Sequence, residues 1–216
     1  MAIRPLSESR KDWLERATAE CQANVEGVLL YLAARHLTDP GFNAQFRLGL
    51  VPSKPTTEGL AQYAGRLAIP YIGPDENVYE IAFRALGDAE PKYLNTGGVT
   101  KRLFNLRALV LADETVSITE GQLDALSLET AGLNAVGVAG VQNWKRHHSR
   151  LFAGFREVLV WADNDTPGRD FAERLVREMP QARVISTQSE DVNACLVEEG
   201  VEGILRAAGI TDTPPF

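Results

Sequence analysis

Cysteine is scarce in this 216-residue chain: Cys21 and Cys195 are the only two, and neither sits in a Cys-x-x-Cys pair. A structural zinc ribbon needs four closely spaced ligands, so no zinc is expected, and the three histidines (His36, His147, His148) do not supply the missing ones. A disulfide framework is excluded too, as suits a reducing cytoplasm. Long apolar runs are also missing. No stretch approaches the ~18 residues of a transmembrane helix, and the opening MAIRPLSESRKDWLERA lacks the apolar stretch of a signal peptide. Internal repeats and low-complexity segments are absent. With 44% hydrophobic and 24% charged residues, the composition is that of a globular protein and excludes collagen-like and fully disordered readings. The length allows one large domain or two small ones. The expectation is a soluble cytoplasmic protein with no membrane partner.

Net charge is −7, which argues against a polyanionic partner until it is divided along the chain. Residues 1–110 hold 13 Lys/Arg against 12 Asp/Glu; residues 111–216 hold 9 against 17. From Pro91 to Ala112 there are Lys92, Lys101, Arg102 and Arg107 and no acid. Such a strip can bind phosphate beside an acidic half, especially if that half recruits divalent cations. The plainer reading is uneven but solvated surface charge.

Hydrophobic rhythm changes between the halves. Between Glu8 and Leu37 the spacing of Val25, Leu29, Leu32 and Leu37 predicts one long helix, ended by Thr38-Asp-Pro-Gly41. Leu67–Ile72 and Val78–Arg84, flanking Gly73-Pro-Asp-Glu-Asn77, predict a β-hairpin. From Glu114 onward, strand and helix alternate: strands near Val116–Thr119, Ala135–Val138, Val158–Ala162 and Arg183–Ser186, and helices over Gln122–Ala131, Asn143–Phe152, Thr166–Met179 and Asp191–Glu199. This predicts an α/β chain: an α+β domain over residues 1–110, then a domain over 111–216 with a mostly parallel four-stranded sheet flanked by helices.

In an open α/β sheet, ligands gather at the carboxyl ends of the strands. Here those ends carry acids: Glu120, then Asp163 and Asp165, then Asp191. Four converging carboxylates repel one another unless a cation sits among them, and oxygen-only ligation suits Mg²⁺ or Mn²⁺. The competing reading makes Asp163-Asn-Asp165 a turn, with Asp165 as helix N-cap. Trp161 reads as core. His147 and His148, beside Lys145, Arg146 and Arg150, read as helical surface.

Three motifs resemble a known domain. Thr119-Glu-Gly-Gln-Leu-Asp124 resembles the first Toprim signature, glutamate-glycine with an aspartate three residues past the glycine. Trp161-Ala-Asp-Asn-Asp-Thr-Pro-Gly168 resembles the second, Asp-x-Asp-x-x-Gly, and Asp191-Val-Asn193 the third. The first half narrows the choice among Toprim proteins. Tyr31-Leu-Ala-Ala-Arg35-His-Leu-Thr, Phe46-Arg-Leu-Gly49, Gly65-Arg66, Phe83-Arg84-Ala-Leu-Gly87, Pro91-Lys92-Tyr-Leu-Asn95 and Leu103-Phe-Asn-Leu106 resemble, in order, the catalytic core of bacterial-type DNA primase. The resemblance runs from about Cys21 to Gly200. Two positions depart from it: Asn193 stands where many primases have a second acid, and Glu80 replaces the usual hairpin glycine.

The resemblance implies short RNA primers made on single-stranded DNA by metal-dependent nucleotidyl transfer during replication. Glu120, Asp163 and Asp165 are then the catalytic acids, and with Asp191 the ligands of Mg²⁺ or Mn²⁺. Gly121, Asp124 and Asn193 support them. Arg66, Arg84, Lys92, Tyr93, Asn95, Lys101 and Arg102 meet nucleotide or DNA. With no zinc ribbon ahead of the core and no helicase-binding domain after it, the resemblance implies a split primase, phage-encoded and acting in the bacterial cytoplasm, or a trimmed protein. Its expected partners are ribonucleoside triphosphates, template, and a separate zinc-ribbon or replicative helicase protein. The alternatives are a Toprim nuclease using the same acids and a non-catalytic nucleic-acid scaffold.

Overall fold

The structure, a computed structural model, describes residues 6–97 and 102–210. The chain forms two compact units, Met1–Ala34 with Thr38–Arg102, and Arg35–Leu37 with Leu103–Phe216. The division falls earlier than the expected residue 110 because the connecting segment already belongs to the second core. Leu103 and Ala108 pack there, and the Phe104 N–H donates to the Gly137 carbonyl at 2.7 Å.

In the first unit, α1 (Glu8–Gln22) begins at Ser7, whose hydroxyl accepts from the Arg10 N–H. Its buried face is Leu14, Ala17, Thr18 and Cys21. The single helix expected to Leu37 is instead broken after α1 into a 3₁₀ turn, Val25–Val28, and α2 (Leu29–Ala33). Two residues account for the break. Asn24 turns its amide back onto the Glu20 carbonyl at 2.8 Å, competing with helix continuation. Gly27 sits where a Cβ would stand 2.4 Å from Leu50 Cδ2. After α3 (Pro40–Phe46) comes an antiparallel sheet of β1 (Gly49–Leu50), β2 (Leu67–Ile72), β3 (Val78–Arg84) and β4 (Tyr93–Asn95), in that spatial order. The expected hairpin is β2–β3. Every residue of β2 is buried, and Tyr63 stacks on Phe83 with centroids 3.8 Å apart.

The second unit contains α4 (Ala108–Leu111), β5 (Thr115–Thr119), α5 (Gln122–Thr130), β6 (Ala135–Gly137), β7 (Glu157–Trp161), α6 (Thr166–Glu178), β8 (Ala182–Ile185) and α7 (Val192–Ala208). Its strands are parallel in the order β6-β5-β7-β8. From β5 the chain moves one way across the sheet, and from β7 it moves the other. The β5/β7 boundary is thus the switch point, whose carboxyl edge opens a crevice.

One expected helix differs. Residues 143–152 wind as 3₁₀ turns, Val141–Asn143 and Arg146–Phe152, because short-range bonds replace the α ladder: Ser149 Oγ donates to the Arg146 carbonyl at 2.6 Å, and His148 Nδ1 accepts from the Lys145 N–H at 3.2 Å. The helix after Asp191 is interrupted at Gly200 as expected: that residue takes φ 70° and ψ −169°, a non-helical kink, and a further helical stretch then runs to Ala208 within α7. Trp161 is core: it is 1% exposed, and its indole N–H donates to Ser117 Oγ.

Candidate functional site

The switch point carries the acids. Glu120 directly follows β5, and Asp163 follows β7 after Ala162. The Asp163 N–H donates to Glu120 Oε1 at 3.3 Å, so the two strand ends are tied together. Gly168 makes this approach possible. A Cβ there would lie 2.5 Å from Glu120 Oε1 and 2.6 Å from the Asp163 carbonyl oxygen. Gly121 serves the neighbouring acid in the same way, since a Cβ would lie 2.5 Å from Asp124 Oδ2.

Asp165 and Asp191 both cap helices. Asp165 Oδ1 accepts from the Gly168 N–H at the start of α6, and Asp191 Oδ1 accepts from the Ala194 N–H at the start of α7, each at 2.7 Å. Asp124, in the first turn of α5, is buried, and its Oδ1 accepts from the Asn193 N–H at 3.2 Å. Asn193 is fully engaged. Its Oδ1 accepts from Arg35 Nη1 at 2.8 Å, and its Nδ2 donates to the Arg35 carbonyl at 3.1 Å and to Ser127 Oγ at 2.9 Å. An asparagine so held positions Asp124 rather than offering an oxygen to a cation.

Crowding shows in the acidities. Burial, followed by the charges of Glu120, Asp191 and Asp165, pushes the Asp163 carboxyl up to about 7. Burial raises Glu120 as well; the Asp163 N–H opposes the shift, and Asp165 and Asp124 add to it. Asp124 is raised by burial and then by Asp191 and Asp163. Mutual repulsion of this kind favours a bound cation. Among the described residues no three His, Cys, Asp or Glu side chains are arranged to hold a metal ion. Mg²⁺ keeps several waters and takes only one or two protein carboxylates alongside substrate phosphates, so an open edge of oxygen donors fits it.

Of the expected phosphate-binding residues, Arg66, Arg84, Lys92 and Tyr93 gather at one end of the first unit's sheet, where Leu67 pairs with Arg84 and Arg84 with Tyr93, whereas Arg102 lies by Tyr79 near the opposite end of β3. Arg84 is 9% exposed; its guanidinium donates to the hydroxyls of Tyr31 and Tyr93 and lies 5.0 Å from the Tyr93 ring centroid. Arg66 Nη1 donates to the Pro91 carbonyl at 2.8 Å, and Lys92 is exposed beside it. Asn95 is half-buried, its carbonyl accepting from Tyr63 Oη. Arg102 stacks over Tyr79 at 4.7 Å. Lys101 lies outside the described residues. Two contributors have no role assignable from the sequence: Arg35, which orients Asn193, and Gly168, which admits Glu120. The Asp-x-Asp-x-x-Gly spacing contains Gly168; nothing in the sequence links Arg35 to a partner 158 positions away.

The chain folds like the catalytic core of a bacterial-type primase, with a Toprim-like domain in its second unit. The Toprim-like family matches residues 117–196. The chain is 41% identical over 148 residues to the Gene 57 protein of Mycobacterium phage D29, which covers 66% of this chain and 97% of that protein, and it belongs to that protein's family. It is 32% identical over 117 residues to the DNA primase of Thermotoga maritima, covering 50% of this chain and 20% of that one. The chain thus matches about a fifth of the length of that primase. Among solved structures, the DnaG primase catalytic domain bound to ssDNA aligns with TM-score 0.73 at 20% identity, covering 94% of this chain and 81% of that one. The zinc-binding and RNA polymerase domains of Aquifex aeolicus primase align with TM-score 0.75 at 20% identity, covering 94% and 62%. Among the described residues no helix is long and apolar enough to cross a membrane.

Proposed function

We propose that this chain is a primase core that makes short RNA primers on single-stranded DNA by divalent-metal-dependent nucleotidyl transfer, in the cytoplasm of a bacterial host. One observation carries the reading: the crowded carboxylate edge at the β5/β7 switch point occurs within a primase-core fold that spans 94% of the chain. Asp163, Asp165, Asp191 and Glu120 would hold Mg²⁺ or Mn²⁺, which when bound neutralises charge developing on the reacting phosphate.

Primer growth is attack of a 3′-hydroxyl on the α-phosphate of a ribonucleoside triphosphate, with loss of pyrophosphate. Glu120, its acidity weakened by burial, is suited to accept the hydroxyl proton. Asp124, fixed by Asn193 and through it by Arg35, keeps the carboxylate edge in register. In the first unit, Arg66, Arg84, Lys92, Lys101 and Arg102 would meet phosphates, Tyr93 would stack on a base, and Asn95 would support them. The zinc-binding domain of the Aquifex primase suggests that a zinc-ribbon module, alongside a replicative helicase, works with this core.

The test incubates the full chain with single-stranded DNA, ribonucleotides and Mg²⁺ or Mn²⁺. Short RNA complementary to the template is expected. Cleaved DNA without RNA would replace this reading with a Toprim nuclease. DNA binding without chemistry in either metal would leave a scaffold.

A further inference from the structure

The acidic half contains one basic island. Lys145-Arg-His-His-Ser-Arg150 places three cations within six positions of a half holding 9 Lys/Arg against 17 Asp/Glu. The fold sorts these residues by face. Trp144 and Phe152 are buried in the second core, and His148 packs edge-on against Trp144 at 5.4 Å. Lys145, Arg146, His147 and Arg150 stay exposed. The His148 imidazole is held down to about 4, first by burial and then by the charges of His147 and Lys145.

Arg146, His147, Ser149 and Arg150 line a concavity of about 550 Å³ whose one acid is Glu178. That carboxylate is already taken: Oε2 accepts from the Trp144 indole at 2.9 Å and Oε1 from Arg174 Nε at 3.1 Å. Among the described residues neither Arg146 nor Arg150 has a carboxylate oxygen within ion-pair distance, while, against the upward push of burial, the Trp144 N–H, Arg174 and the Arg146 charge together hold Glu178 below its ordinary value. Guanidinium and imidazole donors around one hollow match the acceptor oxygens of a phosphate. Glu178 ends α6, whereas Asp165 caps its start, so the 13-residue helix sets the hollow about 20 Å from the carboxylate edge. That exceeds the ~10 Å Debye length at 0.1 M salt, so the acids do not cancel its attraction.

We propose that Arg146, His147 and Arg150 form a second phosphate-binding surface, which holds the backbone of a nucleic-acid strand at the end of α6 remote from the carboxylates. The identity of the occupant rests on the primase reading; the phosphate chemistry does not.

The test is fluorescence anisotropy of a labelled single-stranded oligodeoxynucleotide with the full chain over a salt series, with inorganic pyrophosphate as a parallel probe. The variant Arg146→Ala/Arg150→Ala should bind about tenfold more weakly at low salt, and its slope of log affinity against log salt should be shallower by ~1.4, two single-strand phosphate contacts. Arg146→Lys/Arg150→Lys should keep the wild-type slope. Both substitutions are at exposed positions, and an unchanged circular dichroism spectrum checks the fold. An unchanged slope in the alanine variant overturns the proposal and leaves an acidic protein as the partner of the surface. A loss confined to pyrophosphate overturns the strand as occupant. No oligonucleotide binding by the wild-type chain overturns this proposal and the primase reading together.

Discussion

Asp163 concentrates the chemistry of the site, and its titration gives a prediction with a defined sign. Its carboxyl titrates near 7 in the folded chain, against an ordinary value of 3.8. A raised folded value means that the stability it contributes is fully present below about pH 4 and is lost as pH rises through 7. Without divalent cations, urea melts of the wild-type chain should therefore weaken across that window. Asp163→Asn should flatten the loss and be the more stable protein at pH 8, and added Mg²⁺ should restore stability to the wild type only. Glu120, Asp163 and Asp191 were legible as a group because strand-end position follows from the alternation of elements. The capping bond of Asp165 was legible too, since an acid directly before a helix predicts it; Asp191 was expected inside its helix, and its cap emerges from the structure. The Arg35–Asn193 pair was not: a side-chain contact across most of the chain leaves no trace in local pattern.

Helix α6 begins on Asp165, so this one residue has two expected roles that substitution can separate. Asp165→Ala removes the acceptor for the Gly168 N–H and should cost about 1 kcal/mol of stability along with activity. Asp165→Ser keeps a capping oxygen but no charge. It should melt close to wild type in urea while primer synthesis still fails. An active serine variant would reduce Asp165 to its cap. Among the elements, the apolar β7 and the amphipathic α6 are readable from periodicity alone. The segment 143–152 departs from the expected helix because its polar side chains bond their own backbone, an alternative that hydrophobic spacing does not register. Strand β4 is three residues long, too short for alternation to reveal, and is defined by its pairing with β3.

Across the whole molecule, the change of rhythm near residue 110 announces two units. The true division at Leu103 depends on the bridge from Phe104 to Gly137, a tertiary contact. The net charge of −7 misleads as a single figure, because the acids crowd into the unit that bears the carboxylate edge. That edge carries the functional reading, and Mn²⁺ binding followed by electron paramagnetic resonance, with no DNA or nucleotide present, tests it most directly. The wild-type chain should take up Mn²⁺ saturably, more tightly as pH rises through 7, and Asp163→Asn should lose that binding. Wild-type affinity and stoichiometry in Asp163→Asn would contradict the assignment of the metal centre to this edge.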